Sequence, residues 1–549
     1  MIAGPMSESL TYPAAVSAPS AVHPVPPPAL SPWVVYPTAF LEGASVIITE
    51  IAGARALAPF FGTSLQVWTA LITVTLLFLA LGYGLGGLMA KRLGGWMLPA
   101  LFAAAGAWLV MYPLMRTPML EFASRNLGVA LGSLFSAALV FGLPLLMLGA
   151  VSPVLIALID RRRPGAGSAA GRLFFTNTMG GLVGGWVTAF VLIPHTSLRM
   201  SLVATGIGLL VLALLWFALS RGTAMTLVSA VLVVAGVSML FVKPNTVHRD
   251  KHGQPFDLLY SRQSGIGLLQ VLDLHTIRHD GRMLLINGVL QGEMNVDTGR
   301  ALIVDERLDY IHNLHLMCYS HHPQAKTALQ LGLGAGLLPK ELARRGVKVT
   351  AVEIEPQIAR LSRELFQLPE SVDVVISDAR TYLRNNQTKY DLILLDTFAS
   401  ESTAWYLLTR EAFTEMRERL NPGGRLVINT VAYAGEDKPG LSRIEASLLA
   451  AFPEALCYPE PALAGSDDPE DLINVTLVAG ENLRAAMAVP DETYTVRSLA
   501  RLVANERAAV ADEPPTTDDR SDLDYAQAPL RIKWRTLIWN SLDSSLLWD

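Results

Sequence analysis

Charge is scarce in this sequence. Asp, Glu, Lys and Arg make up 17% of 549 residues against 51% hydrophobic residues, and the mean hydropathy is positive at +0.37. That composition excludes a wholly soluble chain of this length, and the length itself calls for at least two domains. Cysteine is scarcer still. Cys318 and Cys457 are the only two, too few and too far apart for a disulfide scaffold or a cysteine metal cluster. There is no long basic run and the net charge is −5, which argues against nucleic acid as a partner. The first 36 residues contain no Lys or Arg and so do not fit a signal peptide with its positive n-region. Rich in Pro, Ala and Ser, residues 1–36 read as a disordered tail.

What is abundant is apolar sequence in long runs. Between Thr38 and Val242 seven stretches are long enough to cross a hydrocarbon core as helices, near 38–60, 65–90, 96–115, 127–158, 172–194, 199–219 and 223–242. Polar punctuation separates them, as in Lys91-Arg92, Arg116-Thr-Pro118 and Asp160-Arg-Arg-Arg-Pro164. The fourth stretch is long and holds Pro144 and Pro153, which predicts a kink or a re-entrant piece. Glycines at four-residue spacing (Gly82/Gly86, Gly180/Gly184, Gly181/Gly185) predict close helix packing. Glu42, Glu50, Arg55 and Asn177 are out of place in lipid and require partners. For Glu50 and Arg55 a structural ion pair and a ligand or proton site are both open.

After Lys243 the pattern becomes globular. Gly267–His275 and Arg282–Gly288 read as a hairpin joined through Asp280-Gly281, inside a small β unit at 250–295. A helix is expected over Asp305–Tyr319. From Thr327 strands and helices alternate, with strands at Ala328–Gly332, Lys348–Glu355, Val372–Asp378, Tyr390–Asp396 and Arg425–Thr430, then Ala455–Tyr458 and Ile473–Ala479. That alternation predicts a parallel sheet of about seven strands covered by helices. The expected architecture is an all-α transmembrane bundle over 37–243, the small β unit, an α/β Rossmann-like fold over 296–485 and a C-terminal extension over 486–549, polar from Asp512 onward and surface-wrapping or partly disordered.

Chemistry-bearing residues fall at successive strand ends. The first α/β strand runs into Gly332-Leu-Gly334-Ala-Gly336, where the backbone turns sharply and can approach a ligand. The second ends in Glu353-Ile-Glu355, about 20 residues on, where a carboxylate can accept from ribose hydroxyls. The third ends in Asp378-Ala379, where a carboxylate can accept from an adenine amino group, and the fourth in Asp396. The third glycine of a dinucleotide fingerprint and the Gly-Lys-Ser/Thr phosphate loop are both missing. A nucleoside without a pyrophosphate fits better, which points to an S-adenosylmethionine-binding fold.

The ordered series Leu284–Gln291, the glycine loop, Val352–Glu355, Ser377-Asp378, Leu395-Asp396, Leu408–Phe413 and Asn421–Gly424 resembles the polyamine aminopropyltransferases, the spermidine synthases, over roughly 257–480. The membrane half, especially Ala169–Gly181, is similar to the integral-membrane region fused to such domains in bacteria, itself similar to half of a major-facilitator transporter. The resemblance implies transfer of an aminopropyl group from decarboxylated S-adenosylmethionine to a small amine or polyamine, in a multi-pass protein of the bacterial inner membrane, with the lipid bilayer as a partner and a homodimer allowed. It implies that Gln291 meets the donor's tail, Glu353 its ribose and Asp378 its adenine, with Gly332, Gly334, Gly336, Glu355 and Ala379 in the same cosubstrate site. Asp396 would take the proton of the attacking amine. An S-adenosylmethionine-dependent methyltransferase, and a transporter or sensor with a non-catalytic nucleoside- or polyamine-binding domain, are the other readings the fold allows.

Departures from the family pattern cluster on the acceptor side. Ala399 replaces a second acid, Ala335 replaces an Asp in the glycine loop, His312 stands where a Glu follows Tyr310, and Gly267 stands where a Gln is usual. Tyr310, His312, Glu401, Trp405 and Tyr406 are the candidates for a different acceptor pocket. His312 reads as a pocket or packing histidine, and no metal is expected. Topology is in tension. The soluble half is expected in the cytoplasm, where the donor is made. Yet Lys91, Arg92, Arg161–Arg163, Arg172 and Arg221 outnumber Arg116, Arg125 and Arg199 of the alternating loops, so with seven spans the positive-inside rule puts that half outside. An eighth crossing, a re-entry or an interfacial seventh segment would reconcile the two.

Overall fold

The computed structural model describes residues 32–90, 96–160, 166–219, 223–241, 248–249, 255–275, 280–304, 307–308, 310–435, 439–460, 468–484, 487–489 and 493–541. Seven of its helices are long and apolar enough to cross a membrane. They are built from α1 (Pro32–Phe61), α2 (Leu65–Ala90), α3 (Met97–Ala137), α4 (Leu143–Asp160), α5 (Ala166–Val187), α6 (Leu198–Leu219) and α7 (Thr223–Phe241). Their outer faces carry exposed Leu76, Leu88, Leu182, Phe190 and Val231, as expected where lipid replaces water around a helix. Inside, α1 packs on α5 and α2 on α4. Gly82 and Gly86 face the backbone of α4 around Leu146 and Ala150, and Gly180 and Gly184 face Phe40 and Ala44 of α1. Side chains there would force the helices apart.

Several boundaries differ from the sequence reading. α1 starts at Pro32, so the expected tail overlaps it by five residues; the rest of the tail, 1–31, lies outside the described residues. Arg116-Thr-Pro118 is not a loop. The helix continues through it, with Arg116 buried and its guanidinium 5.7 Å from the Phe60 ring and 6.0 Å from that of Tyr112. The break comes at Gly128, whose φ of +67° is non-helical. The fourth stretch then bends through a five-residue π-type turn, Ala138–Gly142, next to Pro144. Of the buried polar residues, Glu42 is held by Ser152 of α4 at 2.9 Å and Asn177 of α5 at 2.6 Å. Among the described residues no ion pair joins Glu50 to Arg55; Arg55 instead donates to the Gly265 carbonyl of the soluble half at 2.9 Å.

The small β unit is a five-stranded antiparallel meander: β1 (His248–Arg249), β2 (Pro255–Gln263), β3 (Leu268–His275), β4 (Asp280–Ile286) and β5 (Val289–Asn295). Asp280 and Gly281 pair within the ladder opposite His275 and Leu274, so they are not the turn; residues 276–279 lie outside the described set. The tight turn is Asn287-Gly288, both at positive φ, the Asn-Gly pair that best suits a two-residue hairpin.

The larger sheet has eight strands, one more than expected: β6 (Thr327–Leu331), β7 (Lys348–Glu353), β8 (Asp373–Ile376), β9 (Tyr390–Leu395), β10 (Leu420–Tyr433), β11 (Glu454–Pro459), β12 (Leu472–Gly480) and β13 (Arg507–Ala508). Their order is β8-β7-β6-β9-β10-β12-β11-β13, parallel from β8 to β10 and antiparallel beyond. The order of strand addition reverses between the parallel strands β6 and β9, which opens a crevice at the strands' carboxyl ends. The helix expected from Asp305 begins at Tyr310. The C-terminal extension is not merely a surface wrap: helix Ala528–Ser541 docks on α1 and α3, with Arg535 only 1% exposed.

Candidate functional site

A cavity of about 540 Å³ lies at the carboxyl ends of β7, β6, β9 and β10. The glycine loop reaches it because Gly332 has a φ of +85° and passes so near the end of β9 that a Cβ there would strike the Asp396 carbonyl. On one side the cavity is lined by Gly334, Glu353, Asp378, Ala379 and Tyr406. Glu353 accepts from the backbone N–H of Leu333 at 3.0 Å and of Glu355 at 2.8 Å, tying the glycine loop to the end of β7. Burial raises its carboxyl above the ordinary value, against those hydrogen bonds. Asp378 caps the helix Ala379–Asn385 through the Thr381 N–H at 2.8 Å and accepts the Tyr406 hydroxyl at 3.0 Å. Burial, then the neighbouring Asp378, push the Tyr406 phenol up to about 12.

Across the switch point stands Asp396. Its carboxylate takes one side-chain hydrogen bond, from Asn429 of β10 at 3.0 Å, and burial raises its pKa to about 6, opposed by that bond. No Lys, Arg or His is among the described residues lining the cavity. Beyond Asp396 the wall is mostly apolar, formed by Leu290, Phe398, Val431 and Trp534, with the neutral side chains of Thr403 and Asn474 beside them. Trp534 lies edge-on to Phe398 with ring centroids 5.9 Å apart. Gln291 and Tyr310 line the cavity too, with the Tyr310 hydroxyl donating to the Gln291 carbonyl at 2.9 Å.

Five of the residues picked from sequence stand outside this lining. Gly336, at a φ of +75°, precedes the helix that starts at Leu337. Glu355 caps the helix Pro356–Glu364 through the Gln357 N–H and accepts from the Gly265 N–H at 3.1 Å. His312 is buried with Nε2 on the Ala301 carbonyl at 3.0 Å, and burial lowers its pKa. Trp405 packs on the core of the large sheet. Glu401 is corrected most sharply. It is 4% exposed and paired with Arg535, so its charge is already neutralised and does not reach the cavity as an acceptor site. Among the described residues no group of three or more His, Cys, Asp or Glu side chains is placed to hold a metal ion.

Trp534 and Arg535 were not legible as site residues. Arg535 donates to the carbonyls of Pro59 at 3.2 Å and Asn287 at 2.7 Å, and to Ser400 Oγ at 2.8 Å besides Glu401. One guanidinium thus joins the end of α1, the β4–β5 turn and the segment after β9. Gly62 is required beside it, since a Cβ there, at φ +80°, would meet the Glu401 carboxylate. An arginine in a polar terminal segment gives no hint of such a place.

With this geometry in view, comparison with known proteins is informative. Residues 328–424 match the family described as "Methyltransferase domain". The chain is 31% identical over 176 residues to a probable polyamine aminopropyl transferase of Bifidobacterium longum, covering 32% of this chain and 37% of that protein. It is 28% identical over 319 residues to a polyamine aminopropyltransferase of Corynebacterium efficiens, covering 53% of this chain and 58% of the relative. The C-terminal half is spermidine synthase-like. A crystal structure of a probable spermidine synthase from Corynebacterium glutamicum superposes on 48% of this chain and 97% of that one, with 20% identity and a TM-score of 0.40. The cavity itself lies between the meander, which contributes Ile286, Leu290 and Gln291, and the eight-stranded sheet. The chain spans about a third to three fifths of the length of these two curated relatives.

Proposed function

We propose that this protein is a membrane-bound transferase that moves an aminopropyl group from decarboxylated S-adenosylmethionine to an amine. The observation that carries the reading is Asp396, a half-buried carboxylate with no cationic partner among the described residues, raised to about 6, beside a nucleoside-sized crevice. An ammonium is not a nucleophile, so the acceptor must first give a proton to a base held against it. Asp396 takes that proton, and Asn429 holds its carboxylate in place. The nitrogen lone pair then forms a C–N bond to the carbon next to sulfur as the C–S bond breaks. The electron pair stays on sulfur, which leaves as neutral methylthioadenosine and needs no acid.

In this reading Glu353 accepts the ribose hydroxyls, Asp378 the adenine amino group, and Gln291 borders the donor's tail. Methyl transfer from S-adenosylmethionine is the second reading, favoured by the family match over 328–424. Against it, the intact donor brings a carboxylate, and no Lys, Arg or His among the described lining residues is there to meet it. The test is to incubate the purified full chain with each donor and a panel of amines and weigh the products. Methylthioadenosine release marks aminopropyl transfer, S-adenosylhomocysteine marks methyl transfer, and neither with any amine would sink both.

We place the domain on the cytoplasmic side of the inner membrane, where the donor is made. The basic loops pull the other way. The soluble domain touches α1 at Arg55 and Pro59, near its C-terminal end, whereas in sequence Lys91-Arg92 and Arg161–Arg163 come one and three spans after that end. Both native cysteines are buried, so a cysteine at exposed Glu370 is a clean probe. In Glu370→Cys, an impermeant maleimide should react only after lysis; labelling in intact cells would reverse the orientation.

A further inference from the structure

We infer that the acceptor is a primary amine with a single positive charge and an apolar body, rather than a di- or polycation. This rests on the transferase reading and names its second substrate. The cavity runs across the sheet from the β7 and β8 ends to the β10 end, so the half beyond Asp396 is the half left for the acceptor. Of the three carboxylates among the described lining residues, Glu353 and Asp378 stand at the β7–β8 end and only Asp396 faces the other half. Asn429 adds a neutral acceptor: its Oδ1 is buried without a hydrogen-bond partner beside the Asp396 carboxylate. One carboxylate and one amide oxygen suit one ammonium.

The described lining residues of that half offer a second ammonium no other carboxylate. Phe398, Val431, Leu290 and Trp534 form most of its wall, and the neutral Thr403 and Asn474 beside them are engaged with Gln527 and Glu460. Two carboxylates outside the lining are occupied elsewhere: Glu401 is closed into its pair with Arg535, and Glu460 is bound by the side chains of Asn313 and Asn474 and raised to about 7 by burial. A distal ammonium placed against these rings would lose its water and gain no counter-charge. A methyl group in its place would gain by burial. The apolar wall also adjoins the bundle, since on the Trp534 helix Ile532 packs on the bundle's hydrophobic core and Arg535 binds the Pro59 carbonyl. An amine with an apolar chain concentrates at such a membrane end.

The test uses the full chain in lipid nanodiscs at pH 8 with methylthioadenosine bound, and two amines of equal length, n-pentylamine and 1,4-diaminobutane. Calorimetry should find n-pentylamine bound at least about tenfold more tightly. Trp534→Ala should remove most of that preference while methylthioadenosine affinity changes less than about twofold, and Phe398→Ala should act in the same direction. Equal or tighter binding of 1,4-diaminobutane, or a preference untouched by both substitutions, overturns the inference. Turnover with decarboxylated S-adenosylmethionine separates the two levels. Faster product formation from 1,4-diaminobutane leaves the transferase and overturns the acceptor class. Preferential binding of n-pentylamine with no product from either amine leaves the acceptor class and overturns the transferase.

Discussion

The two halves of the cavity are built in different ways. The side that fits a nucleoside is assembled from one stretch of chain, Gly332 to Tyr406, each residue delivered by the end of a strand or the turn after it. The side beyond Asp396 is assembled from distant parts, with Leu290 from the meander, Val431 from β10 and Trp534 from the last helix, where Arg535 ties that helix to the β4–β5 turn. The first half is a product of local topology. The second depends on the membrane bundle, the meander and the C-terminus arriving together, so substitutions should separate them by which substrate they disturb.

The largest effect belongs to the residue between the halves. Asp396→Asn should cut turnover by a factor of about 10² to 10⁴, the range for removing a positioned base, with donor affinity nearly intact. In the unsubstituted protein turnover should rise with pH through about 6 as the carboxylate ionises. Its raised pKa carries a stability consequence of opposite sign. Ionisation favours the unfolded chain, so the penalty is absent below about 4 and complete above about 6. Asp396→Asn should therefore stabilise the soluble domain by up to about 3 kcal/mol at pH 8 and not at pH 4. A stabilised variant with full activity would make Asp396 a structural residue.

Next is the buried pair. Arg535→Met leaves Glu401 ionised and enclosed without its partner, an arrangement that costs about 3–5 kcal/mol. Thermal unfolding should register that loss, and the paired change with Glu401→Leu should restore much of it. If the far half depends on this clasp, Arg535→Met should raise the KM for amine more than the KM for donor. Equal changes in both would erase the division between the halves. On the near side, Glu353→Ala should weaken donor binding by about 1.5–3 kcal/mol, as for loss of a charged hydrogen-bond partner. Because Glu353 also holds the Leu333 and Glu355 N–H groups, Glu353→Gln should retain part of the affinity. Unchanged calorimetric binding in both variants would remove Glu353 from the site.

The same division governs what could be read from sequence. Gly332, Gly334, Glu353, Asp378, Ala379 and Asp396 were legible because strand ends in a parallel sheet share one edge, so position along the chain implies position in space. The meander was half legible: alternation marked β3 and β4, but the Asn287-Gly288 turn was passed over for Asp280-Gly281, two residues that pair within the ladder. In the bundle, hydropathy located the helices and missed the continuation through Arg116, whose charge is accommodated against Phe60 and Tyr112. Glu401 looked available because an acid near the candidate base Asp396 invites that reading, and its partner lies 134 positions away. Contacts of that separation leave no periodicity behind them.

The smallest expected effect tests the finest point of the near half. The Tyr406 hydroxyl and the Thr381 N–H each occupy an oxygen of Asp378, so an adenine amino group must use a remaining lone pair on a carboxylate already oriented by both. Tyr406 then acts by positioning, and Tyr406→Phe should weaken donor binding only by about 0.5–1.5 kcal/mol. Because its phenol is pushed up to about 12, it stays a donor from pH 6 to 10 and the loss should not vary with pH in that window. A cycle separates positioning from mere packing: the variant is measured with the adenine nucleoside and with its analogue lacking the 6-amino group. If Tyr406 works through Asp378, the substitution should matter for the first ligand and hardly at all for the second. Equal losses with both would mean that Tyr406 contributes contact area alone and that Asp378 does not read the amino group.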